Sequence, residues 1–68
     1  MEYKGFRTDN IVKETVDDKD KFTVKVINSA DYLEISTNEL EDLEPKFHKT
    51  IDDYVEMCYQ YKKNPYQK

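Results

Sequence analysis

Two hydrophobic periods divide this chain, one of two residues before Ser36 and one of 3.6 after it. In the first region, Phe6, Thr8, Asn10 and Val12 alternate with Arg7, Asp9, Ile11 and Lys13, an untidy pattern that predicts a first strand. The polar residues 17–20, Asp-Asp-Lys-Asp, are turn formers and predict a hairpin loop. Residues 21–26 then alternate cleanly, with Phe22, Val24 and Val26 on one face, and make the clearest strand in the sequence. Asn28, Ser29, Ala30 and Asp31 supply the next turn, and residues 32–35 a third strand with Leu33 and Ile35 on one face. Short connections favour antiparallel neighbours, so the three strands should form a meander.

From Ser36 the pattern becomes helical. Ser36 and Glu39 have the spacing of a capping box, in which each side chain bonds an otherwise unpaired amide of the first turn. Leu40, Leu43, Phe47, Ile51, Tyr54, Val55, Cys58 and Tyr61 fall in one stripe of a helical wheel, opposite Lys49, Asp53, Glu56 and Gln60. Pro45 has no amide to donate and disrupts the turn before it. It therefore predicts a short helical segment over 37–43, followed by a main helix with Pro45 in its first turn, the alternative being a single kinked helix. Asn64 and Pro65 should end that helix, leaving a tail of Tyr66, Gln67 and Lys68. The expected fold is α+β: a three-stranded antiparallel meander followed by a C-terminal helix packed on one face, β-β-β-α, as a single domain over 1–68.

With 68 residues the chain can bury only about 60% of the surface exposed when unfolded, so its core is thin. Cys58 is the only cysteine, which excludes an intrachain disulfide and fits a reducing cytoplasm. Oligomerisation, as a homodimer, is then the natural supplement to the core. No apolar run reaches the roughly 18–20 residues of a membrane span, and the first residues lack the apolar stretch of a signal peptide. The formal net charge of -4 opposes nucleic-acid phosphates and suits a basic protein partner.

The candidate chemistry is sparse. Asp52 and Asp53 are adjacent on a helix, so their side chains diverge by about 100° and cannot work as a catalytic pair. Asp9, Glu14 and Glu34 form no recognisable cluster of the kind a metal-dependent nuclease needs. His48 and Cys58 are ten positions apart, roughly 15 Å along a helix, too far for a nucleophilic pair; nor can they supply a four-ligand zinc site. A lone glycine, Gly5, excludes a phosphate-cradling loop. Lys62 and Lys63 complement the negative end of the helix, although aromatics interleaved with basic residues there could also touch a single strand. These observations predict no catalytic residue, metal or cofactor. A contact function remains, for which the candidates are Ile11, Ile27 and Tyr32 on the uncovered sheet face, Met57 and Tyr59 beside the helix stripe, and Asp52. Open sheet edges offer a second route to a partner.

The segment Phe47-His48-Lys49-Thr50-Ile51-Asp52-Asp53-Tyr54-Val55-Glu56-Met57-Cys58 resembles the helix of the HicB family of antitoxins. Tyr3-Lys4-Gly5-Phe6 is similar to that family's opening strand, and Lys63-Asn64-Pro65-Tyr66 to its tail. The resemblance covers residues 3–66. It implies a partial ribonuclease-H-type fold and a domain that binds and occludes a small basic toxin that cleaves messenger RNA, commonly as a dimer. Full-length relatives continue into a DNA-binding unit, for which this chain has no counterpart, so DNA binding is not expected of it. Pro45 within the helix and the missing hairpin glycines also depart from the pattern. The resemblance further allows an adaptor or a phage or mobile-element anti-defence protein that binds another nuclease or effector. A third reading is weak nucleic-acid binding or nuclease activity.

Overall fold

Residues 1–66 are described by the structure, a computed structural model; Gln67 and Lys68 of the expected tail lie outside them. Strands β1 (Glu2–Tyr3) and β2 (Phe6–Arg7) form a small hairpin. Strands β3 (Val12–Val16), β4 (Lys19–Lys25) and β5 (Glu34–Thr37) form an antiparallel sheet in the order β3-β4-β5. A 3₁₀ turn, Leu40–Asp42, leads into helix α1, Leu43–Gln60. The α+β class, the three-stranded meander and the C-terminal helix agree with the sequence reading. The two-stranded sheet is an addition to it.

That addition arises because the expected first strand is divided. Thr8 bridges Val26, whereas Val12 pairs with Thr23. The first chain thus takes four steps where β4 takes three, which defines a bulge with one extra residue. Within it the Asp9 amide donates to the Lys25 carbonyl at 3.0 Å, and the Asp9 carboxylate accepts the Lys25 amide at 2.8 Å. The bulge reverses the alternation. Phe6 is fully buried (0% exposed), while Val12 pairs with outward Thr23 and is left exposed. This is the physical source of the untidy period.

Both hairpins turn on two residues in the left-handed region, as a type I′ turn requires. Lys4 and Gly5 have φ of 51° and 82°, and Asp17 and Asp18 have 52° and 63°. Aspartate tolerates this conformation better than most residues, so the second hairpin closes without glycine. It also closes tighter than expected: Lys19 and Asp20 belong to β4 rather than to the loop.

The expected capping box is absent. Ser36 and Thr37 remain in β5, and the Ser36 hydroxyl pairs with that of Thr23 at 3.1 Å across the sheet. Neither helical segment has a side-chain cap bond. Pro45 sits in the first turn of α1, as expected, behind the short 3₁₀ lead-in. Leu43, Phe47, Ile51, Tyr54 and Cys58 are buried against Phe6, Val24, Val26 and Ile35, with Tyr3, Phe22, Leu33 and Val55 packed around them. Leu40 and Tyr61, placed in the same stripe by the sequence, are exposed. Leu40 precedes the helix, in a 3₁₀ turn with a different period, and Tyr61 is the C-cap. Lys62 follows with φ 54°, and the Lys62 and Lys63 amides bond back to the carbonyls of Tyr59 and Cys58, a Schellman ending. No helix among the described residues is long and apolar enough to cross a membrane.

Candidate functional site

Because α1 covers only one sheet face, the opposite face is where the uncovered side chains collect. The β4–β5 register pairs Lys25 with Glu34, and the Val26 amide donates to the Leu33 carbonyl at 3.0 Å. Ile27 and Tyr32 therefore follow on the uncovered face, both exposed, Tyr32 at 71%. The Tyr32 hydroxyl donates to the Glu34 carboxylate. That bond, with partial burial and the nearby Glu34 and Asp9 charges, raises the pKa of Tyr32. Val12 and Val16 extend the same face along β3, where they stand beside the cross-strand pair Glu14 and Lys21. The sequence reading missed both valines. It placed Val12 in register with Phe6, and only the bulge turns it outward.

Every residue over 9–21 is exposed. The β3–β4 hairpin is thus an arm with neither face covered. Its helix-side surface is polar and internally paired: the Thr15 hydroxyl donates to Asp20 at 3.0 Å, and Lys13 lies 3.9 Å from the same carboxylate. The Asn38 side-chain amide donates to the Asp20 carbonyl at 3.0 Å and ties the arm to the segment before α1.

The six nominated residues do not form one patch. Ile27 and Tyr32 share the uncovered face, and Ile11 is exposed in the bulge at its side. Met57 and Tyr59 lie on α1, in the other layer, where positions two apart on a helix face different ways. Asp52 is engaged within the chain: Lys4 Nζ is 2.6 Å away, and the Tyr3 hydroxyl donates at 3.0 Å. The Lys4 ammonium first, then the Tyr3 hydroxyl, hold this carboxyl below its usual range against the opposing cost of desolvation. Tyr3 also stacks on His48 with ring centroids 4.0 Å apart. Asp52, His48 and Tyr3 together pin the β1–β2 hairpin onto α1. Asp53 points elsewhere, to Lys49 at 3.3 Å.

A second polar knot closes the other side of the core. Tyr54 is 4% exposed, and its hydroxyl donates to Asp31 Oδ2 at 3.0 Å while accepting the Asp31 amide at 3.2 Å. Lys63 Nζ reaches the same carboxylate at 2.5 Å. The Lys63 bond, then the Tyr54 bond, lower the pKa of Asp31; burial, then Asp31, push that of Tyr54 up to about 12. Cys58 is a buried free thiol beside a cavity of about 130 Å³, lined also by Val55, Tyr59, Lys63, Pro65 and Tyr66. That volume is well below the roughly 300 Å³ at which ordinary ligand pockets begin. Among the described residues no group of three or more His, Cys, Asp or Glu side chains converges on a metal position.

No family model, curated protein or solved structure matches this chain.

Proposed function

We propose that this domain is a non-catalytic protein-binding module of the HicB-like antitoxin type, which binds a small basic mRNA-cleaving toxin and occludes its active site. The observation that carries the reading is the uncovered sheet face, where Ile27, Tyr32, Val12 and Val16 stand exposed on an acidic domain. On that face Glu14 and Glu34 stand opposite Lys21 and Lys25, so the apolar anchors supply affinity by burial, and the net charge of -4 on the chain favours encounter with a basic partner. The resemblance of the Asp52-Asp53-Tyr54 helix and the order of elements support the family assignment. Asp52 and Tyr54 act there as internal pins, so the partner surface is assigned to the sheet rather than to α1.

Co-expression tests the proposal. The chain should form a complex with a small basic toxin encoded beside its gene and restore growth. An Ile27→Asp, Tyr32→Ser double variant should abolish rescue while keeping the native circular dichroism spectrum; rescue by that variant, or the absence of any complex, counts against the reading. The thin core also leads us to propose a homodimer, and a monomeric mass by light scattering at tens of micromolar would remove that element.

A further inference from the structure

We infer that the free edge of β3 is a docking site for an extended segment of a partner protein, one that presents apolar, basic and apolar side chains at alternate positions. This deepens the inhibitor reading and rests on it for the class of partner, but it adds the element that is bound and the chemistry that recognises it.

Alternation of hydrogen bonds along β4 identifies the open groups. The Val26 amide bonds to Leu33 on the β5 side, and the Lys25 carbonyl accepts Asp9 on the β3 side. Even-numbered residues of β4 therefore serve β5, and odd-numbered ones serve β3. Val12, Glu14 and Val16, which pair with Thr23, Lys21 and Lys19, use their backbone groups inward. Lys13 and Thr15 direct theirs outward. The opposite edge is not equivalent. Glu34 and Ser36 are the outward residues of β5, and Lys46 Nζ of α1 occupies the Ser36 carbonyl at 2.7 Å. The β5 edge is thus partly occupied by the chain's own lysine, whereas among the described residues no bond reaches the outward backbone groups of Lys13 and Thr15.

A second copy does not suit the open edge. Two-fold antiparallel pairing that uses all of β3 sets Glu14 opposite Glu14. Slipping by one pair toward the base sets Lys13 opposite Lys13, and slipping toward the tip runs into the Asp17–Asp18 turn. Like charges directly opposite are destabilising, and edge charges are a common guard against self-pairing. A heterologous strand escapes this. Opposite Val12, Glu14 and Val16 it gains by carrying an apolar residue, a lysine or arginine, and an apolar residue, while its backbone completes the ladder to Lys13 and Thr15.

The test uses the full chain, ¹⁵N-labelled, with a capped peptide containing Val-Thr-Arg-Thr-Val. The Lys13 and Thr15 amides should exchange freely alone and gain protection with peptide, while Ser36 is unaffected. Lys13→Pro deletes an outward N–H at an edge position that tolerates proline, so the fold should persist and binding should weaken about tenfold. Glu14→Lys should reverse the preference, rejecting the arginine peptide and accepting Val-Thr-Glu-Thr-Val. No binding, equal binding by Lys13→Pro in a folded chain, or protection of Lys13 and Thr15 without peptide would each overturn the inference. Peptide binding without toxin rescue would leave the edge assignment standing and remove only the inhibitor reading. Rescue that survives Lys13→Pro would do the reverse.

Discussion

The β3–β4 arm and the body of the domain are built from similar material and held together in different ways. Both contain apolar residues in alternation, yet Phe6, Val24, Val26 and Ile35 are buried beneath α1, whereas Val12 and Val16 face solvent. The body rests on burial. The arm rests on its backbone ladder, its left-handed Asp17–Asp18 turn and polar cross-strand pairs such as Thr15 with Asp20. The extents of 43 × 18 × 17 Å reflect this division, since so thin a core cannot cover a five-residue strand on both sides. What differs is cover rather than composition. A hairpin that gains little from burial is a poor stabiliser and a good handle.

The sharpest way to break this contrast is to truncate one side chain in each region. Phe47→Ala should remove about 3–5 kcal/mol, the usual cost of deleting a buried phenylalanine. Because small domains have only about 5–15 kcal/mol in total, urea denaturation should find the midpoint of this variant sharply lowered. Val16→Ala should shift the midpoint by no more than about 0.5 kcal/mol. Comparable losses from the two would mean that the arm is part of the cooperative core.

A smaller effect is expected at the polar knot. Tyr54→Phe removes a buried hydroxyl and strands the Asp31 amide, at a cost of about 1–3 kcal/mol. It should also change the response to pH. Asp31 and Asp52 have lowered pKa values in the folded chain, so their contribution is present above the unfolded value of about 4 and is lost as pH falls through the folded value. Tyr54 has a raised pKa, so its contribution is complete below its ordinary value of 10.0 and is lost as pH rises through about 12. Thermal melts should therefore show an acid limb and an alkaline limb, with the alkaline one reduced in Tyr54→Phe. An unchanged alkaline limb would place the sensitive group elsewhere.

The smallest effect lies in the arm. Replacing Asp17 and Asp18 together by Asn and Gly supplies the preferred type I′ pair and should stabilise the hairpin by less than about 1 kcal/mol. Amide exchange at Val16 and Lys19 should slow while the global melting temperature barely moves. A marked rise in that temperature would show that the arm folds together with the body.

Legibility in the sequence followed the same boundary. Hydrophobic period reports burial on one face, so β4 and the centre of α1 could be read from Phe22, Val24, Val26 and the stripe from Leu43 to Cys58, while the third strand, expected over 32–35, lies two residues later as β5 and shares only Glu34 and Ile35 with that expectation. The period fails where there is no cover or too little length. Strands β1 and β2 have two residues each, less than a pattern needs, and β3 is exposed on both sides. The Asp9 bulge then turned a readable alternation into a misleading one, because an extra residue leaves no mark in composition. Ile27 and Tyr32 were legible as the outward partners of a well-defined strand face. Lys13 and Thr15 were not, because what sets them apart is the direction of their backbone groups. Two aspartates standing where hairpins usually carry Asn-Gly were the nearest available signal.

The ring of Tyr66 lies over that of Phe6 with centroids 4.6 Å apart, and its hydroxyl donates to the Lys4 carbonyl at 2.9 Å. Tyr66 follows Phe6 by sixty positions. The enclosure of Phe6 therefore waits until Tyr66 has been made, and a contact spanning so much chain is intrinsically slow to form. Until then a nascent chain displays a bare phenylalanine that the finished domain hides completely.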